Sequence, residues 1–280
     1  MELNAKIRLL ALDLDDTLLR SDLTISYRTR NAIKRAEAAG IIVVLASGRV
    51  PAAMEHFSEL LGMDRKNGYL ICNNGAIIKE SNTGAVVAET RLDTRIALNA
   101  FDLADAEGFP VQIYDNDVMY VSMENEYTAY DQQLTGLRQV VVENFRAMIA
   151  NGCHKMLIPG DPVLLAPLEK YFRAHFGEHV TMFTSKPYFL EILPANTNKG
   201  TALARVAGFL GIRREEVLAI GDSMNDEAMI LWAGTGMAMA NSDERVKDIA
   251  DLVTEKSNDD DGVAEVIEKY ILVQTEAHNE

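Results

Sequence analysis

Two rhythms of apolar residues alternate along the chain. Residues 7–12 form a nearly unbroken apolar run, and after a polar stretch "YRTRNAIKRAEAA" returns apolar side chains at helical spacing. Ser26 stands where a helix N-cap belongs, and Gly40 stands where that helix must stop. "IIVVLA" then makes a second apolar run. Strand, helix and strand of this size, with strands apolar on both sides, predict a βαβ unit of a parallel sheet covered on both faces, joined by a right-handed crossover. Late in the chain the same order recurs, with "NKGTALARVAGFLG" as helix, "VLAIGD" as strand, "NDEAMILWAG" as helix and "GMAMA" as strand.

The middle reads differently. "AVVAETRL", "FPVQIYD", "DVMYVSM", "CHKMLIP", "HVTMFTS" and "YFLEILP" are short strand candidates, several alternating in polarity, and "PVLLAPLEKYFRAHFG" is a helix candidate among them. This mixture suits an α+β insertion with an antiparallel sheet. The turn chemistry of "SNTG" and "SKP" places its limits near Thr83 and Lys186, so that residues 1–83 and 187–280 form a discontinuous core and residues 84–186 the insertion. The closing "TEAHNE" reads as a frayed end.

Composition narrows the class of protein. Apolar residues make up 48% and charged residues 25%, as in an ordinary globular chain. With 42 acidic against 27 basic residues and no basic stripe, the charge argues against nucleic acid as a partner, although one local cationic pocket can still hold a small phosphorylated molecule. Cys72 and Cys153 lack CxxC spacing and read as core thiols of a cytoplasmic protein. The N-terminus turns acidic too early for a signal peptide, and no apolar run reaches membrane-spanning length. The five histidines show no ligand spacing, which argues against zinc.

The chemistry gathers after strands. Asp13 and Asp15 follow the first apolar run, Ser47, Gly48 and Arg49 the second, and "GDSMND" at 221–226 follows "VLAI". In an open parallel sheet, ligands collect at the carboxyl ends of the strands, so these segments are placed to meet. Asp13, Asp15 and Asp222 would form a set of hard oxygen ligands suited to Mg2+, which relieves their mutual repulsion. Ser47 and Gly48 offer a hydroxyl and open backbone amides to a phosphate oxygen, and Lys199, at the start of a helix, adds a positive charge. A single Asp after a strand is ordinarily a loop or cap residue, and an isolated Lys a surface group; it is their combination that points to a site.

Together these residues resemble the haloacid dehalogenase-like (HAD) phosphohydrolase superfamily and, within it, the Cof-type sugar-phosphatase group. "DLDDTLL" matches the first motif, DxDxT, through Asp13, Asp15 and Thr17. Ser47 matches the second motif, Lys199 the third, and "GDSMNDEAM" the fourth, with Asp222 and Asp226. The likeness covers the first and last thirds of the chain and continues through "GMAMANSDERVKDIAD" and "DDGVAEVI". It implies an α/β fold, a Rossmann-like parallel-sheet core with an inserted α+β cap domain, and a phosphatase acting on small phosphorylated metabolites. On this likeness Asp13 is the nucleophile that forms an aspartyl-phosphate, and Asp15 the general acid and base. Mg2+ is held by Asp13, the carbonyl of Asp15 and Asp222, with support from Ser223 or Asp226. Leu14, Ser47, Gly48, Asn225 and Lys199 bind phosphate oxygens. Where many relatives carry glycine after the second Asp, this chain has Asp16.

A phosphotransferase or mutase would keep the same intermediate and pass the phosphoryl group to a sugar hydroxyl; a phosphate-binding regulatory protein would keep the fold without turnover. Asn74-Gly75 reads as a hairpin turn, Tyr114 and Tyr120 as strand core, and the methionines near 224–239 as apolar filler.

Overall fold

The computed structural model describes residues 5–273 and divides the chain into two compact units. "TEAHNE" lies outside the described residues. The first unit comprises the stretches up to Gly48, from Met54 to Val87, and from Asn198 onward. Its eight-stranded sheet runs, edge to edge, Leu252–Val253, Thr235–Ala238, Val217–Gly221, Leu9–Asp13, Ile42–Ala46, Tyr69–Cys72, Ile77–Glu80 and Val86–Glu89. The first six strands pair in parallel. Leu9–Asp13 is buried along its whole length. Its alternate residues Leu10 and Leu12 join one apolar core with Ile33, Leu45, Leu218 and Ile220, while Leu9 and Ala11 are equally buried on the other face. Burial of both faces is why the run shows no polar alternation.

Helix Tyr27–Ala38 starts where the sequence predicts. Ser26 accepts from the Thr29 N–H at 3.0 Å, and Gly40 leaves the helix at φ 89°. Gly in the left-handed region ends a helix without steric penalty.

The second unit takes residues 49–53 and 88–197. Its six-stranded sheet runs Val180–Lys186, Phe189–Pro194, Met156–Pro159, Gln112–Asp115, Val118–Val121 and Arg138–Val141, antiparallel except for the last pair. Helices Thr94–Ala106 and Pro162–Phe176 supply Ala97, Ala100, Leu165, Leu168 and Phe172 to its core. Tyr114 is buried, with its hydroxyl donating to Asp131 at 2.7 Å. Burial pushes the Cys72 and Cys153 thiols above their ordinary range, and both are free. Among the described residues no helix is long and apolar enough to cross a membrane.

Both limits expected for the insertion fall on hairpins. "SNTG" joins Ile77–Glu80 to Val86–Glu89 within the first sheet, and "SKP" joins Val180–Lys186 to Phe189–Pro194 within the second. The compact units change over at Val87 and Thr197 instead of at Thr83 and Lys186. The physical reason is that Ser, Asn, Gly and Pro favour a tight reversal whether or not a domain ends there.

Candidate active site

Parallel register carries the motifs to one edge. Leu12 stands opposite Ile220, Asp13 opposite Ala46 and Gly221 opposite Ala238, so Asp13, Ser47 and Asp222 all emerge at the carboxyl ends of neighbouring strands. Asp13 is 4% exposed. Lys199, fully buried as the first residue of helix Lys199–Leu210, donates to Asp13 Oδ1 at 2.5 Å and to Asp226 Oδ1 at 2.6 Å.

Local sequence explains why the lysine reaches this position. Asn198 caps the helix by accepting from the Thr201 N–H at 2.8 Å. Gly200 lets the first turn press against the neighbouring helix Glu227–Trp232, since a Cβ there would lie 2.2 Å from the Ala228 carbonyl oxygen. Gly221 makes room for Asp226 in the same way, its Cβ position being 2.5 Å from that of Asp226.

Asp226 is the organiser of the cluster. Besides Lys199, its Oδ2 accepts from the backbone N–H groups of Asp222 and Ser223, each at 3.1 Å. Thr17 Oγ1 donates to Asp222 Oδ1 at 3.1 Å and thereby ties the first motif to the fourth. Ser223 gives its hydroxyl proton to Asn225 Oδ1 at 2.6 Å. Asn225 Nδ2 donates to Asn74 Oδ1 at 3.2 Å, and the Asn74 N–H donates to the Ser47 carbonyl at 2.9 Å. Gly48 lies against the same amide, where a Cβ would come within 3.0 Å of Asn74 Nδ2. Asn74 does sit in the turn between two antiparallel strands, as its sequence suggests, yet it also joins the Ser47 and Asn225 loops, a role that Asn-Gly turn chemistry masks.

Leu14 is buried and its carbonyl accepts from the Leu19 N–H at 2.8 Å. Asp15 is partly exposed on the following loop, in extended conformation, and Asp16 adopts φ 59°. This is the left-handed region that glycine favours and that Asp tolerates better than most residues. Asp16 therefore supports the turn with its own backbone.

The charges do not balance. Carboxylate oxygens of Asp13, Asp222 and Asp226 lie within 4.8 Å of one another, against the single ammonium of Lys199. Burial works against charge on Lys199, but Asp13 and Asp226 outweigh it and hold the ammonium protonated. Burial and then the charge of Asp226 push Asp13 well above the usual carboxylate range, and the same causes push Asp222 up to about 7. A divalent cation fits this donor set: all-oxygen, acidic, and short of positive charge.

The chain matches the family model for haloacid dehalogenase-like hydrolase over residues 10–267. It is 32% identical to the Bacillus subtilis protein YxeH, an alignment covering 95% of this chain and 99% of that one. It is 30% identical to the 5-amino-6-(5-phospho-D-ribitylamino)uracil phosphatase YcsE of the same organism, over 95% and 96% of the two chains. A haloacid dehalogenase-like hydrolase from Bacteroides thetaiotaomicron superposes with a TM-score of 0.87 at 34% identity, over 94% and 99% of the two chains. The chain belongs to the haloacid dehalogenase-like hydrolases and is a phosphoric monoester hydrolase.

Proposed function

We propose that this phosphatase hydrolyses small phosphorylated metabolites, sugar phosphates foremost, in the cytoplasm, with Mg2+ and through an aspartyl-phosphate on Asp13. The observation that carries the reading is the buried Asp13 carboxylate, gripped by Lys199 and set beside Asp222 at the carboxyl edge of the sheet. A buried carboxylate restrained in this way presents one oxygen for in-line attack, and its partners are in place before substrate arrives. The sugar-phosphate preference is supported by the ribityl phosphate in the name of the relative YcsE.

Asp13 attacks phosphorus, and the bond from phosphorus to the ester oxygen breaks as Asp15 gives that oxygen a proton. Asp15 then takes a proton from water as the water oxygen attacks the aspartyl-phosphate, releasing inorganic phosphate and restoring Asp13. Lys199 neutralises charge on the transferring group, while Ser47, Gly48, Asn225 and the Leu14 amide bind its oxygens. Asp13, Asp222 and the Asp15 carbonyl would hold the metal, which would further neutralise the phosphoryl charge. Asp226, already bonded to Lys199 and to two backbone N–H groups, orients the other groups from behind, and the Ser223 hydroxyl orients Asn225.

The test is phosphate release from an aryl phosphate and a panel of sugar phosphates, with magnesium or chelator and without an added acceptor, comparing the native chain with Asp13→Asn. Metal-dependent release that Asp13→Asn abolishes is expected. Release that survives in Asp13→Asn, or that requires an acceptor sugar, would overturn the reading.

A further inference from the structure

Two asparagines that the chemistry above does not use grip the loop after the first strand. Asn241 Nδ2 donates to the Asp16 carbonyl at 2.7 Å, and Asn258 Nδ2 donates to the Leu19 carbonyl at 3.0 Å. The Asn258 N–H donates to Asn241 Oδ1 at 3.0 Å, which orients the Asn241 amide with its NH2 toward the loop. The segment bearing Asn241 is also tied to the other acidic loop. The Met239 N–H donates to the Gly221 carbonyl at 3.0 Å, and the Ala240 N–H donates to Thr254 Oγ1 at 2.8 Å. One segment is thus bonded both to the residue before Asp222 and to the residue after Asp15.

The loop conformation makes that grip consequential. Asp15 is extended, with φ −70° and ψ 129°, and Asp16 turns left-handed, with φ 59° and ψ 7°. Asp enters that region more easily than most residues but at a cost that glycine does not meet, so the turn can relax once its restraint is lost. Relaxation would rotate the peptide between Asp15 and Asp16 and carry the Asp15 side chain away from its alignment.

The geometry points to Asn241, oriented by Asn258, as the positioning residue for Asp15: its bond to the Asp16 carbonyl holds the left-handed turn that aims Asp15 at the leaving oxygen. This rests on the proposed role of Asp15 as the proton donor. Protonation matters greatly for an alkyl or sugar oxygen and little for a nitrophenolate, which leaves readily as the anion. A defect in proton delivery to the leaving group therefore separates the two esters in kcat/KM, which reports the steps up to the aspartyl-phosphate, whereas a general loss of structure does not.

The experiment compares native protein with Asn241→Leu, similar in size but without the donor, and with Asn241→Ala, which excludes crowding as the cause. The substrates are a hexose phosphate and para-nitrophenyl phosphate, and amide hydrogen exchange is followed over residues 14–20. Both variants should lose about 10- to 100-fold in kcat/KM on the hexose phosphate and less than about 3-fold in kcat/KM on the aryl ester, while kcat falls on both because Asp15 also activates the water. Exchange over 14–20 should quicken while strand Val217–Gly221 stays protected. Equal losses of kcat/KM on both esters, or no loss on either, overturn the inference while leaving the phosphatase reading intact. Failure of the native protein to release phosphate from either ester overturns both.

Discussion

Removing metal should expose the charge imbalance of the acidic cluster, and pH should titrate it. In chelator, Lys199 is left as the ammonium paired with Asp13 and Asp226, with Asp222 beside them. Burial, then the charge of Asp226, lifts Asp222 from 3.8 to about 7 and lifts Asp13 in the same direction. In the unfolded chain both titrate at about 3.9. Between roughly pH 4 and pH 7 the folded protein therefore binds more protons than the unfolded one, and the metal-free fold loses stability as pH rises through that window. For Asp222, the span from 3.8 to about 7 corresponds to a ceiling of about 4 kcal/mol, and water reaching the partly exposed carboxylate brings the expected loss to about 2–4 kcal/mol. At about 2–4 °C per kcal/mol for units of this size, the unfolding midpoint should fall by roughly 5–15 °C.

Circular dichroism melts in EDTA and in magnesium, at fixed ionic strength from pH 5 to 8, test this directly. The EDTA midpoint should fall with pH while the magnesium midpoint holds, because the cation takes the place of the proton. Hydrogen-bonded surface carboxylates such as Asp22 and Asp259 are held below their ordinary range and act at lower pH, outside the window. Asp222→Asn should make the EDTA trace shallower, leaving the slope that Asp13 contributes. Parallel traces in EDTA and magnesium, or an EDTA midpoint that rises between pH 5 and 7, would refute the reasoning.

Other perturbations follow from the same contacts. Lys199→Met leaves Asp13 and Asp226 buried without their cation, so urea unfolding in chelator at pH 7.5 should show a loss of about 3–5 kcal/mol that shrinks toward pH 5 as Asp13, already pushed up by burial, takes up a proton; an unchanged urea midpoint would refute it. Gly200→Ala places a methyl 2.2 Å from the Ala228 carbonyl oxygen and should cost about 1–3 kcal/mol, with a fall in kcat as Lys199 is displaced; neutrality in both would contradict the packing described. Asp16→Gly relieves a left-handed aspartate at φ 59° and should change stability by less than about 1 kcal/mol and activity by less than about 3-fold, whereas a tenfold fall in phosphate release would assign the Asp16 carboxylate a role of its own.

The core strands were legible because a strand buried on both faces has no polar alternation to confuse it, as Leu9–Asp13 illustrates. The helix starts at Ser26 and Asn198 were legible because caps are local chemistry. The limits of the inserted unit were not, because "SNTG" and "SKP" are reversals within sheets and turn chemistry carries no record of which sheet a strand will join. What decides that Phe189–Pro194 belongs with Met156–Pro159 is long-range pairing, which has no signature within either segment.

The same division runs through the site. Asp13, Ser47 and Asp222 could be placed together from order alone, since parallel strands bring every carboxyl end to one edge. The hydrogen bonds that orient them could not. Asn74 looks like half of an Asn-Gly turn and is that as well; its amide meets Asn225 only because two loops far apart in sequence converge. Asp226 enters from the family likeness as a support of the metal, and the folded chain adds that both of its oxygens are bonded, to Lys199 on one side and to the backbone of Asp222 and Ser223 on the other. Such roles depend on which partner occupies which lone pair, a property of the folded chain. Residues that act on substrate are thus recognisable by type and position, whereas the residues that aim them become recognisable only when their hydrogen bonds are traced one by one.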